Sequence, residues 1–381
     1  MFCDIFYGGH VGDDLDRRLM RSFMDSLMSD ALFEDGKFFA PDFPVPSPMS
    51  YDGYKAYIAE ALPEESPKMY GLHPNAEIMF LTTQSNTLFM MLMQLQPRTS
   101  ATSTSGELSR EDRCKAQLED ILDMLPENFD MLEITDRVEE RTPYVSVCLQ
   151  ECGRMNELLS TIKSSLKELA LGLKGDLTIS EQMEALMQSM YLDVVPAKWE
   201  AVAYPSMKSL GPWLKDMIQR CDQLVSWSSD LNLPKAVWLP ALFNPQSFLR
   251  AVLQSTARMN QWPLDKMALI TDVTKKELSE ITAPPREGAY IYGLYMEGAR
   301  WDKKGGCIRD SILKDLFPEL PPIYLKAVTA DKADLKDVYD CPVYKTKRRG
   351  PTYIWTFQIK TREPPAKWIL AGVSLLMAAD I

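Results

Sequence analysis

Four groupings in this sequence hold residue types that could do chemistry. Cys148 and Cys152 stand four apart, a spacing that puts two thiols on one face of a helix, as a metal or redox pair would need. His10 follows Gly8 and Gly9, and His73 precedes Pro74. Either imidazole could in principle serve a nucleophile as base. Glu139 and Glu140 offer paired carboxylates for acid/base work. Lys345, Lys347, Arg348 and Arg349 crowd one short segment between two strand-like runs, where an acidic neighbour could dock.

The spacing completes none of these as a reaction centre. Structural zinc takes four ligands at matched positions, and the sequence has only two histidines to add to its scattered cysteines. Cys148 and Cys152 therefore read as core thiols. Glu139 and Glu140 are adjacent on a charged helix, so they project to solvent and share no cleft. The histidines read as solvated or capping groups. The basic tetrad reads first as a solvated hairpin loop and second as a docking patch. GxxxxGK followed by Ser or Thr is absent, as are HExxH, CxxC, GxSxG and any GxGxxG after a strand. The segment reads as non-catalytic, with no cofactor and no metal of its own.

The elements that would position these groups fall into two periods. Up to residue 285 the pattern is helical. Asp13, Asp14 and Asp16 open a helix with acid in its first turn, and Leu15, Leu19, Phe23 and Leu27 form its apolar face towards a stop at Gly36. PDFPVPSP (41–48) must be extended. A short helix within 50–67 and a helix from GLHPNAEI (71–78) through Met93 follow. Residues 97–109 are small and polar and predict a flexible linker, after which Ser109 and Asp112 resemble a capping box. Cys114, Leu118, Ile121, Leu122 and Leu125 stripe the next helix. Beyond Pro143, apolar residues fall at 148, 152, 155, 159, 162, 166, 169 and 173, alternating four and three. Leu158 widens that seam, which favours a long helix inside a bundle over a coiled-coil dimer. Helices are predicted at about 180–191, 212–229 and 245–261.

After APPREG (283–288) the period becomes that of strands. GAYIYGLYMEGARWD (288–302), PPIYLKAVT (321–329), YDCPVYKT (339–346), YIWTFQIK (353–360) and KWILAGVSLLM (367–377) carry the signal. Tyr353, Trp355, Phe357 and Ile359 share one parity, which predicts one buried face. WDKKGGC (301–307) reads as a turn and residues 307–317 as a short helix.

Bulk properties narrow the function class. Hydrophobic residues make up 46% and charged ones 25%, which is ordinary globular composition and argues against disorder. No apolar run is long enough to cross a bilayer, and the first residues lack the basic start and apolar core of a signal peptide. Seven scattered cysteines, an odd number, point to reduced thiols in the cytosol. A net charge of −11 makes nucleic acid and anionic membrane poor partners. Most of the 22 methionines sit on helical stripes, where core filling is their default use.

Many separated segments carry a resemblance. YGGHVGDDLDRR (7–18) and GLHPNAEI resemble the lid region of the sixth AAA+ module of dynein heavy chains. VPAKW (195–199), YPSMKSLGPW (204–213) and FLRAVLQSTAR (248–258) look like the helical part of the dynein C-terminal domain. The strand runs from 288 onward look like its β cap. The match spans essentially the whole sequence in order, and the GLHPNAEI form is most similar to axonemal dyneins of the outer-arm β type. One departure is Leu15, where the family often has Trp.

The resemblance implies a multidomain, mainly α architecture: a helical lid (1–97), a helical bundle (98–285) and a small antiparallel β-barrel cap (286–381). It implies a regulatory and structural C-terminal segment of an ATP-driven, minus-end-directed microtubule motor of cilia and flagella. ATP and Mg would belong to upstream modules, and Met1 would mark a fragment boundary. The partners would be AAA+ ring modules of the same heavy chain, with intermediate and light chains and microtubules engaged elsewhere. The location would be the cytoskeleton of the ciliary or flagellar axoneme. The alternatives are a free-standing adaptor that binds a protein partner and a hydrolase with an unfamiliar site, for which no nucleotide turnover is expected.

Overall fold

A computed structural model describes residues 2–34, 36–41, 43–95, 110–333 and 336–378. The predicted linker 97–109, including the Ser109 cap, lies outside the described residues. The N-terminal part holds α1 (Asp14–Leu27), a hairpin of β1 (Phe38–Ala40) and β2 (Phe43–Pro44), α2 (Tyr51–Glu60) and α3 (Pro74–Leu95). Asp13 caps α1, its carboxylate accepting from Leu15 N at 2.8 Å and Asp16 N at 3.1 Å. The helix stops at Leu27, ahead of Gly36. Neither α1 nor α2 contains a buried residue.

The bundle is built around α6 (Pro143–Lys174), preceded by α4 (Arg110–Met124) and α5 (Met131–Asp136). α7 (Glu181–Tyr191), α8 (Ala197–Glu200), α9 (Leu210–Asp230) and α10 (Pro245–Asn260) follow it. Thr142 caps α6, Pro143 takes its first turn, and Gly175 ends it at φ 85°. Every seam residue from Cys148 to Leu169, and Leu158 beside them, is fully buried. α6 touches α4, α5, α7, α8, α9 and α10, so the heptad spacing serves a central bundle helix rather than a dimer seam. Trp199 stacks on Trp213 at 6.2 Å and donates its indole N–H to Ser165 Oγ at 2.8 Å. A buried aromatic ring of this size is thus held with its polar atom satisfied.

The C-terminal part differs from expectation in five respects. Strand structure begins before residue 286, with β3 (Val237–Trp238) and β4 (Met267–Val273). It continues through β5 (Ala289–Tyr292), β6 (Tyr295–Glu297), β7 (Ala299–Asp302), β8 (Cys307–Asp310), β9 (Ile323–Thr329), β10 (Val338–Tyr344) and β11 (Tyr353–Lys360). The short helix α11 (Pro365–Leu370) and β12 (Ser374–Leu376) follow.

The expected closed antiparallel barrel is not what forms. The described strands make two open four-stranded sheets, ordered β3-β5-β9-β4 and β11-β10-β12-β6, plus the hairpins β1-β2 and β7-β8. Both larger sheets are mixed, since β3 runs parallel to β5 and β12 parallel to β10. The backbone leaves one sheet for the other at Gly293, at φ 86°, where a Cβ would collide with the Trp238 ring. A break in the ladder there keeps β5 and β6 from pairing on into a closed wall.

Residues 307–317 begin as a strand and not as a helix, because Cys307 to Asp310 pair with Asp302 to Ala299. Residues 367–377 open as α11 and not as a strand, since Pro365 favours a helical first turn and Trp368 donates to Thr361 Oγ1 at 2.7 Å. In β11 the predicted parity shifts. Val343 pairs with Trp355 and Tyr344 with Tyr353, so Ile354 is a bulge residue. Ile354, Phe357 and Ile359 are buried, while Tyr353 is exposed.

Candidate functional site

Two polar seams join these parts, and both are built from residues distant in sequence. The first lies between the N-terminal helices and the sheets. Arg18 on α1 donates to the Asp340 carbonyl of β10 at 2.9 Å, and its guanidinium lies 5.6 Å from the Tyr339 ring. Leu15, one turn earlier, and Met79 on α3 pack against buried Phe317, Tyr344 and Leu376. Asn75, in the first turn of α3, is only 8% exposed. Its side chain donates to the carbonyls of Ile312 at 2.8 Å and Asp315 at 2.9 Å, and accepts from Lys314 N at 2.8 Å. That clamp holds a turn in which Lys314 sits at φ 71°, a conformation costly for a side-chain residue.

The second seam lies between the bundle and the sheets. Glu151 of α6 is almost wholly buried and accepts from Phe243 N at 2.5 Å and Asn244 N at 2.9 Å. Burial pushes its carboxyl up, against those two hydrogen bonds. Arg220 and Asp216 form a buried pair on α9 at 2.7 Å, and Lys208 reaches the other carboxylate oxygen at 2.8 Å. Burial alone would raise the Asp216 carboxyl, but the two cations outweigh it and hold the group below its ordinary value. The Arg220 guanidinium also lies 3.5 Å from the Tyr204 ring centroid and donates to Pro240 O.

The basic tetrad does not form one outward face. Lys345 donates to Phe243 O at 2.8 Å and so belongs to the second seam. Burial lowers its pKa, partly offset by Glu151. Arg349, at φ 51°, donates to Glu297 Oε2 at 2.7 Å and to Gly372 O at 2.8 Å. Burial works against its charge, but Glu297 more than offsets it and raises the pKa. Lys347 is half-buried and Arg348 exposed.

The other groups singled out from sequence lie apart from one another. Cys148 and Cys152 are fully buried in α6. The Cys152 thiol is pushed far up by its hydrogen bond with Cys148 and by burial, which opposes thiolate chemistry. His73 accepts from Asn75 N at 3.2 Å, so it supports the start of α3, and His10 is exposed. Glu139 and Glu140 face solvent. Among the described residues, no group of three or more His, Cys, Asp or Glu is placed to hold a metal ion. A cleft of about 1220 Å³ opens between α9, α10 and residues 284–288, with Tyr144, Asp222, Trp238 and Arg286 in its walls and no histidine or cysteine. Sequence reasoning missed the roles of Arg18, Asn75, Asp216 and Arg220. Arg18 and Asn75 lie inside the quoted family segments, which was their only signal.

Fold and seams together define a helical lid joined side-on to a helical bundle that carries open β sheets. The comparisons with known proteins match two family models along the sequence. The AAA lid domain of the dynein heavy chain matches residues 1–76, and the C-terminal domain of the dynein heavy chain matches residues 82–377. The sequence is 52% identical over 377 residues to the ciliary dynein beta chain of Heliocidaris crassispina, and equally so to human dynein axonemal heavy chain 9. It is 46% identical over 380 residues to the flagellar outer-arm dynein beta chain of Chlamydomonas reinhardtii. Each alignment covers 99% of this chain and 8% of the relative. The chain belongs to the dynein heavy chain family. These relatives are heavy chains and not free-standing adaptors, which removes the ground for the adaptor reading.

Proposed function

We propose that this protein acts as the non-catalytic C-terminal segment of an axonemal dynein heavy chain, in the microtubule motor of cilia and flagella. In this reading the N-terminal helices are the lid of the sixth AAA+ module (1–97). Residues 98–285 are the helical part of the C-terminal domain, and 286–381 its β cap. ATP and Mg act in other modules of the motor. The lid packs on a neighbouring module of the same heavy chain, and the cap tunes motor output through contacts that differ between ring states. Only differential contacts can bias such a cycle. The working location is the axonemal cytoskeleton.

The observation that carries this reading is α3. Leu81, Leu88, Phe89, Met90, Met91, Leu92 and Met93 are each at least 41% exposed, on more than one face of the helix. A helix apolar around its circumference is stable in water only when something buries it. The same helix starts at the Asn75 clamp, so whatever covers its far end is mechanically joined to the cap. The test is deletion of 286–381 from the full motor, with microtubule-stimulated ATPase and stall force as readouts. A change in either supports the reading, and no change in both overturns it.

A further inference from the structure

Charge is unevenly divided along the sequence. Residues 286–381 carry 16 Lys and Arg against 12 Asp and Glu, whereas residues 1–285 carry 26 against 41. The tetrad 345–349 is one group of these cations, and its Lys345 and Arg349 bind internal groups. A second group, Arg300, Lys303, Lys304 and Arg309 against Asp302 and Asp310, lies on the β7–β8 hairpin. Arg300 and Arg309 are direct cross-strand partners there, so two like charges stand side by side on one ladder. Asp302 answers that repulsion in part, 3.6 Å from Arg309, and Arg300 Nε donates to the Asp310 carbonyl at 3.2 Å. Lys303 and Lys304 stand exposed at the tip. Arg362 is exposed and donates from beneath to Gly305 O at 3.5 Å.

The tip is shaped as well as charged. Asp302 accepts from Lys304 N at 3.0 Å, and its carboxyl is held below the ordinary range chiefly by a further backbone hydrogen bond from Gly305. Three ion pairs touch the group: Lys303 with Glu277 at 2.6 Å, Arg309 with Asp302 at 3.6 Å and Lys367 with Asp310 at 2.9 Å. Five of the six side chains are at least 39% exposed. Pairs so exposed contribute little in water and exchange readily with an incoming carboxylate.

We infer that the β7–β8 hairpin, with Arg362, is a docking surface for a short acidic polypeptide segment. An extended polyanion such as nucleic acid fits less well. A long polyanion would also be repelled by the acidic body of the protein, which carries a net charge of −11. That body is densest over residues 111–140, where eleven exposed carboxylates face three basic residues. A short segment can engage the tip and avoid it. Docking at the hairpin is independent of whatever covers α3.

The test titrates the 381-residue protein with a fluorescein-labelled Glu-rich dodecapeptide, followed by anisotropy. Two double variants of equal net charge are compared, Lys303→Glu with Lys304→Glu at the tip and Lys167→Glu with Lys174→Glu on α6. All four positions are exposed, so folding is preserved and circular dichroism verifies it. The tip variant should weaken binding roughly tenfold and the α6 variant less than about twofold. Affinity should also fall as salt rises from about 0.05 to 0.15 M. Equal losses in the two variants would overturn the assignment. So would an oligo-dT of similar length that binds as tightly as the peptide.

Discussion

The N-terminal helices and the bundle solve the same problem in opposite ways. α6 buries its seam from Cys148 to Leu169 and touches six other helices. α1 and α2 bury nothing fully, and α3 leaves most of its far end in water. The bundle has its own core, at roughly 1.5–3 kcal/mol for each fully buried large aliphatic side chain. The N-terminal part instead rests on a few specific attachments to the sheets, chiefly Arg18, Leu15 and Asn75. The lesson is that these two helical regions differ less in helix propensity than in who supplies the burial. A region without its own core is one whose stability depends on what it touches.

That contrast can be broken at its strongest point first. Arg220→Ala leaves the Asp216 carboxylate buried with half-exposed Lys208 as its remaining cation. The expected cost is about 3–5 kcal/mol, seen as a fall in the denaturant midpoint. A smaller, local effect should follow from Asn75→Ala. It removes three hydrogen bonds to the 312–315 turn, at about 1–3 kcal/mol. Hydrogen exchange should quicken at Lys314 and around the seam while α6 amides stay protected. Uniform quickening would mean that the two regions are one cooperative unit. The smallest effect belongs to α3. Phe89→Ser with Leu92→Ser should shift stability by no more than about 0.5 kcal/mol and should reduce self-association in light scattering. A loss of several kcal/mol would show that this end of α3 is buried against the protein itself.

The helices were legible because their signals are local. Thr142 and Ser180 cap α6 and α7, Pro143 takes a first turn, and the four-three seam read from the sequence is the buried one of α6 from Cys148 to Leu169. The sheets were legible as strands but not as topology. Strands of two to four residues carry little period, the parallel pairings of β3 and β12 join segments far apart, and one bulge at Ile354 reverses a face. The candidate sites fared similarly. Four clustered cations look the same in sequence whether they point out, as Arg348 does, or turn inward, as Lys345 and Arg349 do. Asn75 and Arg18 act across more than 230 residues of sequence, a distance over which no spacing rule speaks.

The open sheets have one more consequence. Two unclosed sheets leave edge strands, and an edge with free carbonyls invites a strand from another molecule. β11 and β4 are such edges, and they lie against each other. Thr271 Oγ1 donates to the Gln358 carbonyl at 2.5 Å, and Gln246 Nε2 donates to the Ile354 carbonyl at 3.0 Å. Two side chains thereby occupy acceptors that a foreign strand would use. The fold obtains from them part of the resistance to amyloid-like stacking that a barrel gains by closing its wall.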